Sequence, residues 1–253
     1  MNDSTPPPPT DEVPVEVGPP PEGFAESLES LGVELDEGDL ARLRSYLQLL
    51  LEANRRMNLT AIRDPQAAWT KHVLDGLTLV APLMSVAPGG DRLRVLDLGS
   101  GGGVPGLVLA SVLPEVEVVL CEATGKKARF LEDAARSLGL ARVRVAARRA
   151  EDLGHDEAFR ATQDVVLARA VGSLASLVEL SMPLLRVGGV LLAVKGERAP
   201  QEIEEAKRAL HALHALVTAT IPTPTGTIVV VEKSRTTPRI YPRPNGMPGN
   251  RPL

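Results

Sequence analysis

Two carboxylates bracket a glycine cluster in this chain, and their spacing suits a ribonucleoside. Asp97 stands just ahead of Gly99-Ser100-Gly101-Gly102-Gly103-Val104-Pro105-Gly106, and Glu122 follows nineteen residues after Gly103. Glycines at such a turn let the backbone leave a strand sharply and let a ligand approach with no Cβ in the way. An acid at the end of the next strand accepts hydrogen bonds from both hydroxyls of a ribose, the role open to Glu122. The plain alternative is that Glu122 caps a helix starting near Thr124. Ala150-Glu151-Asp152 follows a third strand, where such a fold places an adenine, and either acid could equally cap the next helix. The turn satisfies G-x-G, but Val104 replaces the last glycine of the dinucleotide fingerprint, and no G-K-[ST] tail is present for a nucleotide phosphate. An acid at Asp97 is also poorly suited to a pyrophosphate, its bland alternative being a capping group in an ordinary tight turn.

An acid inside the strand end, directly before the glycines, resembles motif I of S-adenosylmethionine-dependent methyltransferases. The acceptor side is then marked by the residues after a fourth strand, here Ala168-Arg169-Ala170. Methyltransferases acting on exocyclic amines usually carry Asn-Pro-Pro-aromatic at this place, and that element is absent. Cys121 is flanked by apolar residues and precedes Glu122 rather than sitting beside a base, so it does not fit a carbon-methylating nucleophile. His211 and His214 share a helix face without further ligands nearby, which fits surface histidines and no metal. His72 and Asp75, three apart on a helix, could line the substrate side or form an ordinary packed pair. With no obvious base, the chemistry narrows to a nucleophile whose lone pair is already free at neutral pH and which needs only to be held in line with the methyl group.

Positioning these residues requires alternating strands and helices. Apolar runs at Leu93–Leu98, Val116–Cys121, Arg142–Ala146, Asp164–Ala168 and Gly188–Val194 predict five strands. Helical patterns at Leu107–Leu113, Thr124–Leu138, Gly172–Leu185 and Pro200–Leu216 fall after the first, second, fourth and fifth. The expected fold is α/β, a Rossmann-like, doubly wound, mostly parallel sheet of the class I methyltransferase type, with ligand at the carboxyl ends of its strands. Val217–Ile221 and Thr227–Glu232 predict a hairpin adding an antiparallel C-terminal edge. Ahead of the sheet, a helical pattern begins at Phe24, an amphipathic helix runs from Asp39 to near Asn54, and another runs from Pro65, capped by Asp64, through Val80. The expected divisions are a disordered acidic tail at 1–23, a helical extension at 24–90, the ligand-binding core at 91–235 and a basic, Pro/Gly-rich segment at 236–253.

The tail expectation rests on eight prolines, few large apolar residues and purely acidic charge in residues 1–23. Charge is divided unevenly along the chain. Residues 1–41 hold eleven acids and no Lys or Arg, leaving 21 acidic and 28 basic residues in the rest, within a formal total of -4. The folded part is therefore basic, which permits a polyanionic partner. One cysteine in 253 residues excludes a disulfide framework and a Cys-rich metal site and fits a reducing compartment. No apolar run reaches the roughly 18 residues of a transmembrane segment, so a cytoplasmic protein with no membrane association is expected.

The ordered series Asn58-Leu59-Thr60-Ala61-Ile62, Lys71-His72-Val73-Leu74-Asp75, Asp97 to Gly106, Glu122-Ala123-Thr124-Gly125-Lys126-Lys127, Arg169-Ala170-Val171, Lys195-Gly196 and Tyr241-Pro242-Arg243 resembles the RsmG (GidB) family from about residue 40 to the end. That family methylates N7 of a guanosine in 16S ribosomal RNA with S-adenosylmethionine. The resemblance implies cofactor contacts at Gly99 and Val104, with Gly101 and Gly103 shaping the same loop, and at Glu122, Ala123, Thr124, Ala150, Glu151 and Arg169. Asp97 would support the loop and the methionine ammonium, and Arg169, His72 and Asp75 would face the substrate. Arg55, Arg56, Lys126, Lys127, Lys195, Arg239 and Arg243 would meet RNA, Lys126 and Lys127 being otherwise a solvated helix face. The C-terminal segment departs from the family's Tyr-Pro-Arg-Lys run, reading Tyr241-Pro242-Arg243-Pro244, which removes positive charge. The expected partner is 16S ribosomal RNA within an assembled small subunit, since the basic surplus is modest and aromatic stacking groups make up only 2% of the chain. The protein is expected to act as a monomer. The competing readings are a small-molecule methyltransferase, a dehydrogenase, and a non-catalytic cofactor-binding module attached to an RNA partner.

Overall fold

In the computed structural model, which describes residues 15–86 and 92–253, seven strands form one sheet in the order β3-β2-β1-β4-β5-β7-β6. The strands are β1 (Arg94–Leu98), β2 (Glu117–Cys121), β3 (Val143–Ala146), β4 (Gln163–Arg169), β5 (Leu185–Lys195), β6 (Ala215–Thr223) and β7 (Gly226–Lys233). The first five run parallel, while β7 pairs antiparallel with both β5 and β6. This is the expected doubly wound sheet with its antiparallel C-terminal hairpin.

Both faces of the central strands are buried, which is why they read as continuous apolar runs rather than alternating ones. Val95, Val118, Leu120, Val165, Leu167, Leu192 and Ile228 point into a layer shared with the N-terminal helices, and Leu96, Leu98, Val119, Cys121, Val166, Ala168, Leu191 and Val229 into the other. The first layer holds α1 (Phe24–Leu31), α2 (Glu37–Asn54), α3 (Pro65–Ala68), α4 (Asp75–Leu77), α5 (Val80–Val86), α6 (Gly106–Val112) and α7 (Gly125–Ser137). The second holds α8 (Ala150–His155), α9 (Leu174–Ser181), α10 (Ala199–Glu205) and α11 (Lys207–Ala212). A last turn, α12 (Met247–Asn250), packs on α9.

Helix α2 starts at a full capping box, with Asp36 accepting from the Asp39 N–H and Asp39 reaching back. The helix expected from Pro65 to Val80 is not continuous. Asp64 caps it as anticipated, but Trp69–Leu74 winds as a π-helical segment between α3 and α4. The wider turn places Trp69 fully inside the core and turns His72 toward Thr60. Such segments are frequent at functional sites. The helix expected over Pro200–Leu216 divides into α10 and α11 and stops at Ala212, because Ala215 and Leu216 already pair with β7.

The expected disorder of residues 1–23 is corrected for residues 15–23, while residues 1–14 lie outside the described ones. Val17 is buried, the Trp69 indole N–H donates to the Gly18 carbonyl at 3.2 Å, and Phe24 meets the Trp69 ring edge-on at 5.5 Å. Composition missed this because one buried valine and one backbone acceptor suffice to hold the strap.

The C-terminal segment is likewise part of the fold. Arg160 donates to the carbonyls of Tyr241 (2.9 Å), Thr237 and Pro238, and the buried Lys233 amine donates to the Met182 and Leu185 carbonyls. Arg243, expected on RNA, instead clasps the carboxylate of the fully buried Glu179 at 2.6–3.1 Å and donates to the Arg251 carbonyl. Lys195, also expected on RNA, is buried, with its amine 2.8 Å from the Gly172 carbonyl and 2.8 Å from Glu202 Oε2. Both cations serve the interior.

Candidate active site

The carboxyl ends of β1 to β4 meet at one edge of the sheet, and the strand order reverses between β1 and β4. In doubly wound sheets the ligand crevice opens at that switch. Asp97 ends up there fully buried, because β1 carries it into the first layer next to the glycine loop. Its Oδ2 accepts the Gly106 N–H at 3.1 Å. Burial pushes the Asp97 carboxyl up to about 7, against the opposing pull of the Gly106 N–H and of the Arg169 charge.

At Gly99 and Gly106 the loop has no room for a side chain. A Cβ on Gly106 would sit 2.7 Å from Asp97 Oδ2, and one on Gly99, whose φ is +74°, would sit 2.7 Å from Val171 Cγ2. Glu122, nearly buried at the end of β2, accepts the Gly101 N–H at 3.0 Å and the Thr124 N–H at 2.7 Å, one on each oxygen. Each carboxylate oxygen keeps a further acceptor position beyond the backbone bond it makes. Ala123 and Thr124 are exposed beside it, and Val104 is half-buried in the loop. Glu151 Oε1 accepts the Gly246 N–H at 2.8 Å, so its carboxylate is tied to the C-terminal segment, while Ala150 is buried at the start of α8.

Sequence reasoning did not find Tyr46. It projects from the buried face of α2, and its hydroxyl donates to the Gly102 carbonyl at 2.9 Å, so the helical extension holds the loop directly. Its only sequence signal is a phenol on an otherwise leucine-lined face. Tyr46→Phe removes that bond at a cost of about 1 kcal/mol. The expected result is a melting point lower by a few degrees and about a threefold loss of S-adenosylhomocysteine affinity, read by thermal denaturation and titration calorimetry.

On the other side of the switch, β4 delivers Arg169. Its Nε bonds Asp75 Oδ2 and its Nη2 donates to the Lys71 carbonyl at 2.8 Å. The other oxygen of Asp75, on a buried residue, accepts the hydroxyl of Thr225, the turn residue between β6 and β7. Three expected residues, His72, Asp75 and Arg169, are thus brought together, and Thr225 joins them from 150 residues away. His72 is buried with Nε2 2.9 Å from Thr60 Oγ1, and burial, then the Arg169 charge, pushes its imidazole down to about 4. Arg169 acts electrostatically on Tyr46, His72 and Asp97 alike, which places it at the centre of the group.

Of the expected RNA contacts, Arg55, Arg56 and Lys126 are exposed and Lys127 is half-buried at the start of α7. Arg239 is almost fully exposed, with an equally exposed Glu157 at 3.9 Å. His211 is exposed and His214 partly so. Among the described residues no three His, Cys, Asp or Glu side chains gather as for a metal ion. Burial pushes the Cys121 thiol up to about 12, far from a reactive thiolate. Among the described residues no helix is long and apolar enough to cross a membrane.

The GidB family model, described as rRNA small subunit methyltransferase G, matches residues 39–226. A ribosomal RNA small subunit methyltransferase G from Sorangium cellulosum (strain So ce56) is 49% identical over 223 residues, covering 88% of this chain and 92% of its own. Its counterpart from Streptococcus sanguinis (strain SK36) is 40% identical over 238 residues, covering 92% and 99%. Among solved structures, a Corynebacterium glutamicum protein is similar with a TM-score of 0.52 and 20% identity, over 85% of this chain and 97% of its own. A putative S-adenosyl-L-methionine-dependent methyltransferase from Methanococcus maripaludis gives 0.51 and 12%, over 67% and 90%. These two structural likenesses speak for the fold.

Proposed function

Since the chain belongs to the rRNA small subunit methyltransferase G family and is an S-adenosylmethionine-dependent ribosomal RNA methyltransferase, we propose that the acceptor atom is N7 of a guanosine in 16S ribosomal RNA. One observation carries this choice. Of the two groups beside Arg169 that could take a proton, Asp75 is bonded on both oxygens and burial holds the His72 imidazole near 4, so neither is poised as a base at neutral pH. Guanine N7 carries a free lone pair at neutral pH, so it needs alignment and no base.

The donor set fits the cofactor. At Gly101, beside Glu122, the loop leaves open the space a Cβ would fill, Glu122 offers acceptor positions to a ribose, and Asp97 is a buried carboxylate suited to an ammonium. When bound, S-adenosylmethionine supplies an electrophilic methyl on a sulfonium. The protein's own part is positional. Glu122, Ala123 and Thr124 hold the ribose, Ala150 and Glu151 border the adenine, and Gly99, Gly101, Gly103 and Val104 admit the backbone approach. Asp97 takes the ammonium, and Arg169, fixed by Asp75 and the Lys71 carbonyl, stands at the transfer point with His72 beside it. The reaction moves one positive charge from sulfur to the guanine ring and creates none, so orientation carries most of the acceleration.

Arg55, Arg56, Lys126, Lys127 and Arg239 supply phosphate contacts, and the modest basic surplus of the chain together with its 2% aromatic content favours an assembled small subunit over naked RNA. Labelled methyl transfer to small-subunit RNA, followed by nuclease digestion and mass spectrometry, is expected to yield 7-methylguanosine. A methyl on another atom overturns the N7 assignment, and equal rates on naked transcript and subunits overturn the subunit preference. Cofactor affinity is also expected to depend on pH through Asp97. With a carboxyl near 7 that binds only when ionised, S-adenosylhomocysteine should bind about tenfold more weakly at pH 6 than at pH 8 in calorimetric titrations.

A further inference from the structure

The loop between β4 and α9 holds an unusual conformation next to the glycine loop. Ala170 has φ +56° and Gly172 φ +48°, both left-handed, and between them Val171 lies against Gly99. A non-glycine residue stays in that region only where its surroundings over-determine it. The surroundings here are Lys195 and Glu202. Lys195, the last residue of β5 and 8% exposed, donates to the Gly172 carbonyl at 2.8 Å and pairs with Glu202 Oε2 at 2.8 Å. The same oxygen of Glu202 accepts the N–H of Leu174, the first residue of α9, also at 2.8 Å. The backbone of Lys195 is fixed in turn, because Gly226, the first residue of β7, packs so closely on its carbonyl that no Cβ would fit.

We propose that Lys195 and Glu202 are a positioning pair that sets residues 170–173 as the acceptor-side wall of the site. This rests on the methyltransferase reading given above. With Glu122 and Glu151 on the adenosine side, at the ends of β2 and after β3, the methyl end falls toward β4, and the segment just past Arg169 borders the space left for the incoming base. Lys195 touches neither cofactor nor base. It acts through Gly172 and Val171: its buried amine is taken up by the Gly172 carbonyl of this loop and by Glu202 of α10, whose same oxygen holds the Leu174 N–H where the loop enters α9.

The test pairs Lys195→Met with Glu202→Gln, which keeps an acceptor for both Lys195 and Leu174. Lys195→Met is expected to lower methyl-transfer turnover by between about tenfold and a hundredfold, the range that misplacement of a reacting group produces. S-adenosylhomocysteine affinity should stay within about threefold, and faster amide hydrogen exchange should be confined to residues 170–176. Glu202→Gln leaves the buried Lys195 charge without its counter-charge and is expected to lower turnover in the same direction by about threefold to tenfold, with S-adenosylhomocysteine affinity again within about threefold; unchanged turnover would remove Glu202 from the pair. Unchanged turnover in Lys195→Met overturns the proposal. So does a parallel loss of turnover and S-adenosylhomocysteine affinity with exchange rising throughout the sheet, which would mark a merely structural lysine. Failure of the wild-type protein to methylate RNA would overturn the reaction reading instead, and the exchange and affinity measurements separate the two because neither uses RNA.

Discussion

Asp97→Asn is expected to make the protein more stable at pH 8 and to weaken S-adenosylmethionine binding by about a hundredfold. The stability effect follows from burial. The folded carboxyl is pushed up to about 7 from an ordinary value near 4, so the folded state binds the extra proton. Stability from this group is full below about pH 4 and is lost as pH rises to about 7. Above that the wild-type chain carries a buried charge costing about 4 kcal/mol, at about 1.4 kcal/mol per pH unit. Asparagine keeps an acceptor for the Gly106 N–H but buries an amide that needs its own partner, which returns roughly 1–3 kcal/mol. The net gain of about 1–3 kcal/mol should raise the melting point by about 3–9 °C at pH 8, whereas at pH 4, where the wild-type acid carries no charge, the unpaired amide alone counts and the melting point should fall by about 3–9 °C. Binding falls because the ammonium loses a charge-assisted partner, worth about 1.5–3 kcal/mol on a buried group. Melting curves at the two pH values and calorimetric titration decide it, and unchanged affinity would remove Asp97 from the site.

Arg243→Ala should destabilise the fold rather than the RNA complex. Glu179 is fully buried and receives Arg243 on both oxygens, so truncating the arginine leaves an uncompensated carboxylate in the second layer. Removing one member of such a pair costs about 3–5 kcal/mol. The expected fall in melting point is about 10 °C, with the salt dependence of RNA binding unchanged. The double variant Glu179→Gln/Arg243→Ala should recover part of the loss because no charge is left buried. An unchanged melting point together with weakened RNA binding would return Arg243 to the RNA surface.

Residues whose placement depends on neighbours in the chain were legible in the sequence. The glycine loop, Asp97 and Glu122 sit at strand ends and a turn within one strand–loop–helix–strand unit, and apolar runs marked the strands because both sheet faces are covered. The roles of Lys195, Arg243, Tyr46 and Thr225 were not legible. Tyr46 reaches a carbonyl 56 residues away, Arg243 a carboxylate 64 away and Thr225 a carboxylate 150 away. A cation in a basic, proline-rich segment looks like a phosphate contact until its buried acid is known. The π-helical segment escaped for a related reason, since one extra residue per turn leaves composition and apolar spacing almost unchanged while rotating His72 and Asp75 to new faces.

Trp69, the chain's one tryptophan, lies between the Gly18 carbonyl and Phe24 on one side and, along its own segment, His72 and Asp75 on the other. The protein therefore carries an intrinsic fluorophore at the joint between its N-terminal strap and the residues that hold Arg169. Emission from that single indole needs no label and no background subtraction from other tryptophans. Any rearrangement of this joint as cofactor or RNA arrives would be recorded optically, in real time, from within the catalytic framework.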